Sequence, residues 1–90
     1  MPTVWIPSLL RDLTHGQETV IVPGATVGQI IEGLEQACPG IKARLCDEVG
    51  GIRPGMSVIV DTEVTRLGVL QPVKETSEVH FLPAIGGGEA

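Results

Sequence analysis

Ninety residues, 42% of them hydrophobic and 19% charged, suffice for one domain around a single core and are too few for two ordinary domains. Six basic against eleven acidic residues give a formal net charge of −5, so the clustered Lys and Arg that a phosphate backbone requires are missing and nucleic acid is not an expected partner. No apolar run nears the roughly 20 residues that cross a bilayer, and the N-terminus lacks the basic start and apolar stretch of a signal peptide, so no membrane partner and a cytoplasmic location are expected.

Thr3-Val4-Trp5-Ile6 and Glu18-Thr19-Val20-Ile21-Val22 are rich in β-favouring residues and flank a polar turn with His15-Gly16, which predicts a hairpin pairing the first two strands. Pro7 has no N–H for a ladder and marks the end of the first strand. From Thr26 the period changes. Val27, Ile30, Ile31, Leu34, Ala37 and Cys38 recur at helical spacing, with Gln29, Glu32, Glu35 and Gln36 opposite them, which predicts an amphipathic helix packed on a sheet. Thr26 and Gln29 form a capping-box pattern, and Pro39-Gly40 stops the helix.

Ile41 to Leu45 add a short helical turn, and Gly50-Gly51-Ile52-Arg53-Pro54-Gly55 reads as a surface loop. That loop lacks the GxxxxGK[ST] spacing and a following helix, so it is no phosphate cradle. Ser57-Val58-Ile59-Val60 is a third strand, Asp61-Thr62-Glu63 a turn, Val64-Thr65-Arg66-Leu67 a fourth strand ended by Gly68, and Glu78-Val79-His80-Phe81-Leu82 a fifth. The order β-β-α-β-β-β predicts an α+β layer pair: a sheet of about five strands under one main helix.

Cys38 and Cys46 are too few to complete a tetrahedral zinc site or an iron–sulfur cluster, so they read as buried free thiols. His15 and His80 read as structural. Strand alternation puts Val4 and Ile6 opposite Trp5, and Val79 and Phe81 opposite His80 and Leu82. If the helix covers the first set, Trp5 and Leu82 form an open apolar docking patch. Equally, Trp5 could be tucked under a loop, or the two faces exchanged.

The chain closes on Pro83-Ala84-Ile85-Gly86-Gly87-Gly88, followed by Glu89-Ala90. Glycines can be threaded, extended, into a slot that excludes any Cβ. The tail is therefore the candidate reactive segment, with 1–83 the folded domain and 84–90 a Gly-rich arm.

The element order, the stretch Val58 to Gly68 and the ending Glu78 to Gly88 resemble the ThiS/MoaD sulfur carriers of the ubiquitin-like β-grasp fold. Ile6-Pro7-Ser8-Leu9-Leu10-Arg11, Thr14-His15-Gly16-Gln17, the segment Leu34 to Ile41 and Arg44-Leu45 most resemble the CysO-type carriers of cysteine biosynthesis. The resemblance implies that Gly87-Gly88 are the reactive pair and Ala84, Ile85 and Gly86 the arm. An E1-like adenylyltransferase/sulfurtransferase would join the Gly88 carboxylate to AMP from ATP, and persulfide sulfur would displace AMP to leave a thiocarboxylate. A PLP-dependent cysteine synthase would take up that sulfur, and a JAMM-type zinc peptidase would free the product. The chain itself would be no enzyme and hold no cofactor, ATP being used by the activating partner. Two departures stand out. Glu89-Ala90 overhang Gly88, so a peptidase must first remove them; and Asp61-Thr62-Glu63 stands where the family often has Asn-Gly-Glu, which alters only turn chemistry. Residues 84–88, at up to about 3.5 Å each, reach roughly 17 Å. Sulfur delivery to molybdopterin or thiamine, a ubiquitin-like protein modifier, and a plain β-grasp binding module are the competing readings.

Overall fold

The computed structural model describes residues 1–83. β1 (Thr3–Trp5) and β2 (Thr19–Ile21) are followed by α1 (Val27–Ala37) and α2 (Ile41–Leu45), then β3 (Met56–Val60), β4 (Glu63–Val64) and β5 (Glu78–Pro83). The five strands form one sheet in the order β2-β1-β5-β3-β4. β1 and β5 pair in parallel at its centre and every other pair is antiparallel. This is the expected α+β, ubiquitin-like β-grasp arrangement of a mixed sheet gripping one main helix.

Helix α1 begins where its sequence says it should. Thr26 Oγ1 accepts the backbone N–H of Gln29 at 3.2 Å, one half of a capping box. The other half is displaced by one residue, because Gln29 Oε1 accepts from the N–H of Ala25, at 2.8 Å, and not from that of Thr26. The carbonyl of Gln71 takes the N–H of Val27, and Val73 N–H returns to the carbonyl of Ala25. The segment before β5 thus clamps the helix start and satisfies one donor, the Val27 N–H, that an isolated helix would leave to water.

Val27, Ile30, Ile31 and Leu34 of α1 are buried against Val4, Ile6, Val58, Val79 and Phe81 of the sheet, with Leu10, Ile41 and Leu45 closing the edges. Gly33, which weakens a helix by roughly 1 kcal/mol relative to alanine, stands where an added Cβ would come within 3.2 Å of Val22 Cβ. Close approach of helix to sheet is what that glycine permits. Of the expected stripe Ala37 alone is exposed, while Cys38 is buried; the chain leaves α1 at Ala37, and Glu35 caps α2. Its carboxylate accepts from Gly40 N and Lys42 N, and these two backbone donors, Lys42 first, hold Glu35 below the usual carboxylate range.

Three local expectations are corrected. The β1–β2 connection is not a simple hairpin turn. It includes a 3-10 turn over Ser8–Leu10 that inserts Leu10 into the core, although the two strands do pair. The fourth strand is only Glu63–Val64, because Thr65 Oγ1 accepts from Leu67 N and bends the chain toward a second 3-10 turn at Gly68–Leu70. The β3–β4 turn consists of Asp61 and Thr62, both at positive φ (50° and 76°), the twist that a two-residue hairpin demands.

Asp61 holds that turn to the sheet centre. Its Oδ2 accepts from Ser77 Oγ at 2.6 Å and its Oδ1 from Glu78 N at 2.9 Å. Ser77 and then Glu78 keep the carboxyl below the usual range. A depressed folded-state pKa means stability that is present above the unfolded pKa and lost as pH falls through the folded one. Asp61→Asn, which tolerates the left-handed backbone, is expected to be about 1 kcal/mol less stable at pH 7, since the exposed carboxylate is screened by solvent. Urea titrations should show that gap closing as pH falls below the ordinary carboxylate range. A gap of constant size down to the most acid conditions would show that the charge is not what matters.

Candidate functional site

Strand alternation assigns the two sheet faces as the sequence indicates. Val4, Ile6, Val79 and Phe81 lie under the helix, and Trp5, His80 and Leu82 lie on the other side. Trp5 is half-buried and Leu82 is 40% exposed. The pairing registers align Thr19, Trp5, His80, Ile59 and Val64 in one row across all five strands. Leu82 follows two residues after His80 on β5, opposite Ser57.

His80, read from the sequence as structural, is in the middle of this row. Its ring stacks on Trp5 with centroids 5.3 Å apart and planes 5° from parallel. Trp5 Nε1 donates to Glu78 Oε1 at 3.1 Å. Stacking and hydrogen bond together hold the indole in one orientation, so the surface it leaves uncovered can serve as contact area at little further entropy cost. The alternation that grouped His80 with Leu82 was the signal for this placement; the missing element was the parallel β1–β5 pairing that sets Trp5 beside it.

β5 runs three residues past its pairing with β1 and ends at Pro83, opposite Met56 of β3. Proline cannot extend the ladder. A groove of about 250 Å³ opens there, lined by Trp5, Pro7, Leu9, Arg11, Leu82 and Pro83 among others. Trp5, His80 and Leu82 therefore share one groove with Pro83, from which the tail departs in sequence. Ala84, Ile85, Gly86, Gly87 and Gly88, the predicted arm and reactive pair, lie outside the described residues, as does the expected domain–tail division beyond 83.

Little else could carry chemistry. Cys38 and Cys46 are buried free thiols, and burial pushes the Cys46 thiol up, away from the reactive thiolate. Among the described residues no group of three or more His, Cys, Asp or Glu could hold a metal, and no helix is long and apolar enough to cross a membrane. A larger hollow of about 420 Å³ lies on the helix side, between α1, α2 and the turn at Gly68–Leu70, with Ile31, Lys42 and Val69 in its walls. It shares no lining residue with the groove beside Pro83.

A sequence profile of the ThiS family matches residues 4–88. The chain belongs to the ThiS family. The match takes in all five strands except Thr3, both helices and the sequence as far as Gly88, leaving residues 1–3 and Glu89-Ala90 outside it. This ThiS-family chain is 36% identical over 90 residues to the sulfur carrier protein CysO of Mycobacterium tuberculosis, covering 96% of one and 97% of the other. It is similar to the crystal structure of the Amycolatopsis orientalis BexX/CysO complex (39% identity, TM-score 0.89, 98% and 100% coverage) and to that of Mycobacterium tuberculosis CysO (34%, 0.89, 94% and 100%). SAMP1 of Haloferax volcanii, 22% identical with a TM-score of 0.78 and coverage of 97% and 98%, shares the fold.

Proposed function

We propose that this chain is a sulfur carrier of the CysO type, whose Gly88, once it is the last residue, carries a thiocarboxylate that supplies sulfur for cysteine biosynthesis. The observation that carries the reading is the family match running unbroken from the first strand to Gly88, together with 36% identity to a sulfur carrier protein across nearly the full length of both. The chain acts as a handle and an arm, and the acids, bases and metals belong to its partners.

A free carboxylate gives up oxide poorly, so activation comes first. The Gly88 carboxylate oxygen attacks the α-phosphorus of ATP on an E1-like partner, pyrophosphate leaves, and a mixed anhydride with AMP is formed. A persulfide sulfur then attacks the carbonyl carbon and AMP departs with the C–O electron pair. A partner thiol cleaves the resulting S–S bond, becoming a disulfide and leaving the thiocarboxylate on Gly88. The glycines admit the arm to a narrow channel because no Cβ widens it. The sheet face bearing Trp5, His80 and Leu82 docks the carrier while the arm is inside. A PLP-dependent cysteine synthase is the proposed acceptor enzyme and a zinc peptidase the trimming one, since Gly88 is otherwise held in a peptide bond to Glu89.

Intact-mass analysis of the protein from its own cells tests this directly. The expected species lacks Glu89-Ala90, and part of it carries one oxygen-to-sulfur exchange. A mature chain that keeps both residues and never exchanges oxygen for sulfur would overturn the proposal.

A further inference from the structure

The groove at the root of the tail contains a charge that the apolar docking row does not require. Arg11 lines it with Pro7, Leu9, Leu82 and Pro83. Its Nε donates to the carbonyl of Ile6 at 3.1 Å, which ties the half-buried guanidinium to the end of β1 and leaves four N–H donors on its terminal nitrogens. Among the described residues the ion pairs are Met1 with Glu75 and Lys42 with Glu32, so Arg11 has no carboxylate at pairing distance there. In a chain of net charge −5, the groove's one fixed charge is positive.

We propose that Arg11 anchors a carboxylate-bearing loop of the protein that receives the tail: an Asp or Glu side chain gripped by the guanidinium, next to an apolar residue seated against Leu9 and Leu82. This deepens the sulfur-carrier reading and rests on it. Charge complementarity selects the occupant, because the planar fork of arginine matches a carboxylate with two parallel hydrogen bonds, and the fork is pre-oriented by its bond to Ile6. The other anion at hand, the nucleotide on Gly88, meets Arg11 only when the arm folds back, which an arm threaded into an enclosed site does not do. An extended arm of five residues carries it up to about 17 Å beyond Pro83. Arg11 thus acts as a docking residue, setting how tightly the carrier is held and leaving the rate of adenylation alone.

ATP–pyrophosphate exchange by the adenylating enzyme purified from the same cells provides the test, using the chain ending at Gly88 with the 90-residue chain alongside. Arg11→Met, which keeps the aliphatic stem, is expected to raise KM for the carrier about 30-fold with kcat unchanged. Arg11→Glu should raise it further, Arg11→Lys should recover part of the loss, and added salt should narrow the differences. A structural role alone would lower the melting temperature without a salt-dependent KM. Exchange with the wild-type chain, combined with an unaltered KM for Arg11→Met and Arg11→Glu, overturns this inference and leaves the carrier reading standing. No exchange even with the wild-type chain ending at Gly88 overturns both.

Discussion

Gly87→Leu, made in the chain ending at Gly88, is expected to lower ATP–pyrophosphate exchange by at least about 100-fold, the loss that follows when a reacting group is held roughly 1 Å out of place. The expected loss is steric. Activation requires the terminal carbonyl to reach an enclosed nucleotide, and a leucine Cβ and its branch widen the one part of the arm that must pass through the entrance. Gly87 follows Pro83 by four positions in the sequence, and the core among the described residues is built from residues 4–81, so thermal unfolding is expected to be unchanged. A loss of exchange with an intact melt separates a blocked arm from a damaged domain. Full exchange by the leucine variant would mean that the glycines do not serve as a threading device.

Phe81→Ala makes the opposite separation. Phe81 is the chain's one phenylalanine, fully buried on the central strand between β1 and β3. Truncating a buried aromatic costs about 3–5 kcal/mol through lost transfer energy and the cavity left behind. For a domain of this size that is a large share of the roughly 5–15 kcal/mol available, and a fall in melting temperature on the order of 20 °C should accompany it. Leu82→Ala, one residue on and facing the other way, should cost no more than about 0.5 kcal/mol and lose its effect on docking instead. Urea denaturation followed by circular dichroism reads both variants. Equal costs at positions 81 and 82 would contradict the assignment of the two faces.

The strands were legible wherever alternation was clean. Val4, Trp5 and Ile6, and Val79 through Leu82, declared their faces by period alone, and Thr26 declared the helix start by its capping chemistry. Short elements were less visible. The turn at Ser8–Leu10 is three residues long, too few to show a period, and the fourth strand was overestimated because Val64-Thr65-Arg66-Leu67 has β-favouring composition while the Thr65 hydroxyl bends the backbone away. Ala37 fits a helical stripe on paper, but it is exposed while Cys38 beside it is buried.

The candidate site divides in the same way. Alternation placed Trp5, His80 and Leu82 by face, whereas the stack of His80 on Trp5 and the place of Arg11 in the groove could not be read that way, because both depend on neighbours distant along the chain.

By itself the sequence determined the covalent and local facts: a glycine-rich end that can be threaded, an apolar stripe of helical period, and strands with one apolar side. These depend on each residue's own shape and on spacings of two to four residues. Tertiary structure alone decided that β1 lies beside β5, that His80 stacks on Trp5, and that Arg11 faces the groove where the tail begins. Such contacts join residues about 70 positions apart, and their energy comes from surfaces that meet only once the sheet has closed around its helix.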